Sequence, residues 1–214
     1  MVEEQLDGQG GVKSRKARGY EIFFVKRRRV RRLVTEDGVP LSAERQAKVD
    51  AKVHEYVDDV LEGKPDKRRA VQLSQVIERY DFQSVARELV LGRPAIVLEF
   101  TPRPGKSKLE HDNVLRRLAG HVWVDEAERV VVRSDLHNTG GIKFALGMGA
   151  SLRDLEVTTD FVKVDDRIWL PKRVESRVVG RVLLLKGIRE RTISSFSGYR
   201  RFSTSAEEGP KRPR

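Results

Sequence analysis

His121-Val122-Trp123-Val124-Asp125 opens the stretch that decides the fold, because beyond Gly120 no residue pattern favours a helix. Runs rich in β-branched and aromatic residues, which fit a pleated surface, follow one another at strand length. They cover Arg129 to His137, Ile142 to Met148, Leu155 to Val164, Arg167 to Leu170, Arg173 to Val179, Arg181 to Lys186 and Arg189 to Ser195. Asp125 to Glu128, Asn138 to Gly141 and Asp165-Asp166 separate them as turns, where short polar side chains bond back to their own backbone. Connections this short join antiparallel neighbours, so the region 121–202 predicts a long antiparallel meander.

Outward from that meander the period changes. Ser84 to Leu91 and Ala95 to Thr101 read as strands around a Gly92-Arg93-Pro94 turn. Ser107 and Glu110 have the reciprocal spacing of a capping box, and Val114, Leu115 and Leu118 carry a short helix to Gly120. Further back, Val49, Val53, Val57 and Leu61 recur at helical spacing, with Ser42 ahead of them, Glu44 in the first turn and Gly63 and Pro65 after them. A second amphipathic helix is expected around Arg68 to Tyr80, with Ala70, Leu73, Ile77 and Tyr80 on one face. Helices with one apolar face need a sheet to lie against.

The chain begins with a strand, Val2 to Leu6, and a turn at Gly8-Gln9-Gly10-Gly11. Tyr20 to Val25 and Val30 to Val34 follow as strands separated by Lys26 to Arg29, and Asp37-Gly38 closes the second, which makes residues 2–35 a hairpin meander. The fold class expected from these elements is α+β. A strongly curved antiparallel sheet, an unclosed half-barrel, is covered on its concave face by the helices of 42–80 and of the strand and helix region 82–119. The division expected is a single domain, 1–202, and a disordered tail, 203–214, whose Ser, Glu, Gly, Pro, Lys and Arg residues can bury almost nothing.

Composition limits the function classes. Of 214 residues 38% are hydrophobic and 35% charged, so the core is accompanied by an unusually ionic surface, and the net charge of +11 draws anionic partners. The absence of Cys excludes disulfides, thiolate metal sites and a Cys nucleophile. Apolar runs such as Ile22 to Val25 and Val182 to Leu185 are strand-length, far short of a membrane span.

No catalytic constellation stands out. Gly140-Gly141 and Gly147-Met148-Gly149 lack the Gly-Lys-Ser/Thr and the helix start of a phosphate loop. Asp135 and His137 share one face of a strand but have no third ligand at metal spacing, and His111-Asp112 sits beside the expected helix cap. No Gly-x-Ser-x-Gly elbow accompanies them. A non-enzyme without cofactor or metal is therefore expected.

Two binding surfaces are candidates. Small residues alternating with Phe144, Leu146 and Met148 suggest a curved strand bulky on one face, and with Phe161 and Trp169 these form the expected lining of an apolar cavity. The alternative is the run Lys26 to Arg32, in which Lys26, Arg27, Arg29 and Arg31 would bind nucleic acid or an anionic surface.

Gly120-His121-Val122-Trp123-Val124-Asp125, the strand after Val130, the Gly-containing hairpin and Asp165-Asp166-Arg167-Ile168-Trp169-Leu170-Pro171 resemble the LolA and LppX type of outer-membrane lipoprotein-sorting domains, a fold also found in the regulator RseB. Tyr199-Arg200-Arg201-Phe202 is similar to the closing strand of that family, while Asp166-Arg167 replaces its usual Asp-Gly and Val124 its usual Ile. The resemblance implies an unclosed barrel whose helices plug the concave face. It further implies an apolar ligand such as a lipid or lipoprotein acyl chain between sheet and helices, a monomeric carrier, and a place in the periplasm or at the outer membrane. Met1 is followed by Val-Glu-Glu-Gln-Leu-Asp rather than a signal peptide, so an upstream leader is expected, with a cytoplasmic place as the alternative. A strand at Val2 with a bare edge points the same way.

Overall fold

In a computed structural model of the chain, residues 1–65, 77–109, 111–144, 150–182 and 186–200 are described. Their strands are β1 (Val2–Leu6), β2 (Val12–Val25), β3 (Arg28–Glu36), β4 (Val39–Pro40), β5 (Tyr80–Val90), β6 (Arg93–Pro102), β7 (Leu118–Asp125), β8 (Val131–Asn138), β9 (Ile142–Phe144), β10 (Ala150–Val164), β11 (Ile168–Val182) and β12 (Lys186–Ser195). The helices are α1 (Ala43–Leu61) and α2 (Asp112–Leu115). All twelve strands join one unclosed antiparallel sheet in the order β4-β3-β2-β1-β12-β11-β10-β8-β7-β6-β5, with β9 on β10. The α+β class and the half-barrel with its helix are as the sequence implies.

The order departs from a simple meander at one place. After β4 the chain leaves through α1, restarts at the far edge with β5 and returns strand by strand until β12 pairs with β1. β1 is thus an interior strand, held by Val2↔Ala17 to Gln5↔Ser14 on one side and Val2↔Ile193 to Gln5↔Glu190 on the other. The bare edge inferred from sequence is covered by β12, and that ground for an upstream covering segment falls away.

Hairpin turns explain much of the register. Lys26-Arg27, Asp37-Gly38 and Leu91-Gly92 each occupy a two-residue connection with both φ angles positive, the geometry whose twist matches antiparallel strands. Asp37-Gly38 is a favoured pair for it, whereas Lys26 and Arg27 accept φ values of 46° and 66°, at a cost of about 1–2 kcal/mol each. The turn expected over Lys26 to Arg29 is therefore two residues shorter, and Arg28 and Arg29 belong to β3.

The helices differ more from expectation. Ser42 caps α1 by accepting from the Arg45 amide at 3.4 Å, and Gly63, at φ 78°, ends it. Val60 is buried on the sheet side while Leu61 is exposed, because a turn of 3.6 residues mixes steps of three and four. α1 packs on β3 and β2. The expected helix over 107–119 reduces to the single turn of α2. Ser107 bonds the Leu109 amide locally, His111 precedes α2 in the left-handed region without capping it, and Leu118 to Gly120 are buried strand. Arg79, almost fully buried, holds residues 103–109 as a loop by donating to the carbonyls of Arg103 and Gly105, and ties them to α2 by donating to Asp112 at 2.6 Å. The helix expected at 68–80 lies mostly outside the described residues, and Tyr80 begins β5.

In the C-terminal half, one pair of short expected strands fuses, and the strand expected over Arg181 to Lys186 is divided between β11 and β12. Ile168 to Leu170 and Arg173 to Val179 belong to β11, with Arg167 left in the turn, and the strand passes Pro171 at a bulge opposite Asp160 and Phe161. Arg181 ends on β11 and Arg189 to Ser195 on β12. Tyr199 is not on a strand; its hydroxyl donates to the Pro171 carbonyl. The expected disordered tail lies outside the described residues.

Ala95, Val97, Trp123 and Val132 form the buried core cluster, with Trp169 packed against it. Gly120 lets β8 approach β7: a Cβ there would stand 2.2 Å from the Asp135 carbonyl oxygen. Gly120→Ala is expected to lower the free energy of unfolding by about 2–4 kcal/mol in a denaturant titration, while Gly187→Ala, which meets open space, should change it by under about 0.5 kcal/mol.

Candidate functional site

Two pockets among the described residues lie beside the β1–β2 turn and share Leu6 as a common wall. Arg177, Val179 and Arg181 alternate along β11, and their ladder partners Arg191, Arg189 and Gly187 alternate along β12, so both pockets open on one face of the sheet.

The first, about 360 Å³, has Leu6, Val179 and Ile188 as its apolar part and Lys13, Arg153, Arg181 and Arg189 as its cations. Arg153 is the extra residue of a β-bulge, since Leu152 pairs with Gly180 and Asp154 with Val179. The bulge re-aims its side chain into the pocket, and Gly180 makes the close approach possible: a Cβ there would lie 2.5 Å from the Ser151 carbonyl. Asp7 is the sole carboxylate of this lining, and it is committed to the turn. Its Oδ1 accepts the amides of Gln9 and Gly11 at 2.8 Å each, and these bonds hold its pKa below the ordinary value. Arg153 pairs with Asp154, whereas Arg181 and Arg189 have no carboxylate partner among the described residues.

The second pocket, about 400 Å³, is lined by Leu6, Gly10, Val12, Glu156, Thr158, Glu175, Arg177 and Arg191. Its floor is charge-paired: Arg191 reaches Glu175 at 2.6 Å, and Arg173 meets the same carboxylate at 2.8 Å. Behind it Glu4, 9% exposed, lies 3.8 Å from Arg191 and 3.7 Å from Arg15, with Oε2 lacking a hydrogen bond.

The residues expected to line an apolar cavity are distributed otherwise. Leu146 and Met148 lie outside the described residues, and only the backbone of Phe144, at the end of β9, is described. Phe161 and Trp169 are half-buried on the β10–β11 hairpin and line neither pocket. Trp169 donates its indole N–H to Glu128 at 2.9 Å, and Trp123 donates to Glu88 at 2.8 Å. The motif residues thus act as ties. Asp125, whose side chain is 2% exposed, accepts from Arg93 and from the amides of Ala127 and Glu128, and Glu128 gathers Arg93, Lys163 and Trp169. Sequence reasoning did not single out the pocket cations, because isolated arginines on separate strands carry no local motif.

The basic run is divided by the two faces of its hairpin. Lys26 donates to the Leu61 carbonyl at 2.7 Å and Arg28 to that of Lys64 at 2.6 Å, supplying cations to the C-terminal end of α1, whose own last turn has none. Arg32 bonds Asp50 of α1 at 2.7 and 2.9 Å. Arg27 and Arg29 are exposed and unpaired among the described residues, and Arg31 lies over the Tyr20 ring at 4.2 Å. His121 and Asp135 approach to 3.2 Å, yet no group of three metal-ligating side chains occurs among the described residues.

The Arg93 guanidinium holds the Asp125 carboxyl at a pKa of about 2, and Arg32 holds Asp50 at about 2, against an ordinary 3.8. A pKa depressed by folding contributes stability that is complete above the ordinary value and is lost as the carboxyl protonates. The melting temperature is therefore expected to hold down to about pH 5 and to fall steeply from there toward pH 2, with a shallower fall in Asp125→Asn.

No family model matches the chain, and no curated protein sequence matches it. Among solved structures it is similar to one from the MucA/MucB complex of Pseudomonas aeruginosa, with 14% identity over 90% of this chain and 85% of that one, at a TM-score of 0.27. At that score the likeness assigns no role to any residue here.

Proposed function

We propose that this chain is a non-enzymatic binding protein of the cell envelope that holds an amphiphilic anion at the open face of its sheet. The observation that carries the reading is the first pocket, in which Leu6, Val179 and Ile188 lie among Lys13, Arg153, Arg181 and Arg189. Apolar contact with a few convergent polar groups is the usual makeup of a small-molecule site, and a volume near 360 Å³ falls in its range. Guanidinium groups recognise carboxylates and phosphates through paired N–H donors.

In this reading the ligand carries a charged head and sits beside the β1–β2 turn, a different place from the space between sheet and helices expected from sequence. The periplasmic place and the carrier role accord with the resemblance of the Trp123 and Trp169 motifs to lipoprotein-sorting domains.

Titration calorimetry with dodecyl phosphate, laurate and dodecanol tests the reading. Both anions should bind and the alcohol should not, and the double substitution Arg181→Glu, Arg189→Glu should weaken the anions by about tenfold or more. Equal binding of the alcohol, or anion binding indifferent to the substitutions, would overturn it.

A further inference from the structure

The outer side of the β2–β3 hairpin is used by nothing described so far. Arg32 bonds to α1 and Val30 is buried, so Val30, Arg32 and their partners Phe23 and Glu21 lie on the helix side. Alternation then places Tyr20, Ile22 and Phe24 with Arg29 and Arg31 on the opposite side, where the register pairs Ile22 with Arg31 and Phe24 with Arg29. Phe24 is 68% exposed and Ile22 38% exposed. Arg27 extends the same charge to the hairpin tip.

We propose that this side of the hairpin docks the protein on an anionic phospholipid surface, with Phe24 and Ile22 entering the headgroup boundary and Arg27, Arg29 and Arg31 meeting lipid phosphates. Three features of the hairpin converge on that partner. First, the cations are sorted: Lys26, Arg28 and Arg32 are tied to α1, its end or Asp50, while Arg27 and Arg29 have no partner among the described residues. Second, large apolar side chains are left in water and rimmed by positive charge, the makeup of an interfacial anchor. Third, the turn keeps Lys26 and Arg27 at positive φ, where Asn-Gly would sit without strain, so the sequence retains charge at the tip against the local backbone preference.

The same features disfavour a nucleic acid. Unpaired bases need open aromatic platforms. Here Phe24 alone offers an open ring, because one face of Tyr20 is already covered by Arg31 and Ile22 has none, so successive bases would find no second platform. A bilayer boundary accepts Ile22 and Phe24 alike. Each basic residue near an anionic surface contributes about fivefold in affinity, so the three arginines together account for on the order of a hundredfold. The surface is separate from the pocket beside the β1–β2 turn, and neither reading rests on the other.

Vesicle flotation with the full chain tests the proposal, using vesicles of phosphatidylcholine and phosphatidylglycerol in about equal parts, vesicles of phosphatidylcholine alone, and a single-stranded oligonucleotide. Binding should be confined to the anionic vesicles and fall with salt. Phe24→Ser, and the combined Arg27→Gln, Arg29→Gln, Arg31→Gln, should each weaken it by about tenfold or more without lowering the thermal midpoint, since these side chains are exposed. Arg27→Gly separates binding from folding: it should raise the midpoint by relieving the turn and still weaken vesicle binding. Vesicle binding untouched by these substitutions, absence of vesicle binding, or oligonucleotide binding through the same residues in its place would each overturn the proposal.

Discussion

The pairing of β1 between β2 and β12 is the constraint on which the sheet depends. β2, β3, β4 and α1 form one local unit, and β5 to β12 form another in which nearly every contact is between neighbours in sequence. Among the described strands, β1 is the one laddered to both, to Ala17 and its neighbours on one side and to Ile193 and its neighbours on the other. Because residues near the start of the chain must find residues near 190, this closure is the long-range, entropically costly step of folding. It also sets the place of the pockets. The turn after β1 overhangs β11 and β12 only because β1 is interior, and Leu6 then stands between the two concavities.

A chain with 43 basic and 32 acidic residues must dispose of its charge, and here it does so by division of labour. One set is structural. Arg79 and Arg93 hold loop and turn backbone through buried carboxylates, Arg32 fastens α1, and Lys26 and Arg28 serve carbonyls at the helix end. Removing one partner of the Arg79–Asp112 pair, whose side chains are 4% and 11% exposed, leaves the other uncompensated, which is more damaging than the net worth of the pair suggests. A second set, Arg27, Arg29, Arg181 and Arg189, points to solvent or into a pocket without a carboxylate opposite, and these groups keep their full capacity to meet an external anion. The functional readings rest on this second set.

The two tryptophans illustrate how a motif can be legible while its purpose is not. Each lies beside a turn on an apolar strand and could line a cavity or fill a core. The structure gives each a carboxylate for its indole N–H, Glu88 for Trp123 and Glu128 for Trp169, and sets both at one core cluster. A buried indole needs such an acceptor. Glu88 is 35 residues from Trp123 and Glu128 is 41 from Trp169, so neither pairing could be read from local pattern.

The amino-acid sequence by itself determined the strand content, the antiparallel class, the Asp37-Gly38 turn and the start of α1 at Ser42, because β-branched runs, paired turn residues and a cap act over a few residues. It overextended the helix near 107–119, since the Ser107 and Glu110 pattern favours a cap only where no competing partner exists, and Arg79, distant in sequence, claims that segment's carbonyls and Asp112. Tertiary structure alone decided that β1 is central, that Lys26 and Arg28 face a helix end while Arg27 and Arg29 face water, and that arginines from three strands meet beside Leu6. Those outcomes follow from strand order and register, and a shift of one residue in register turns every side chain to the other face.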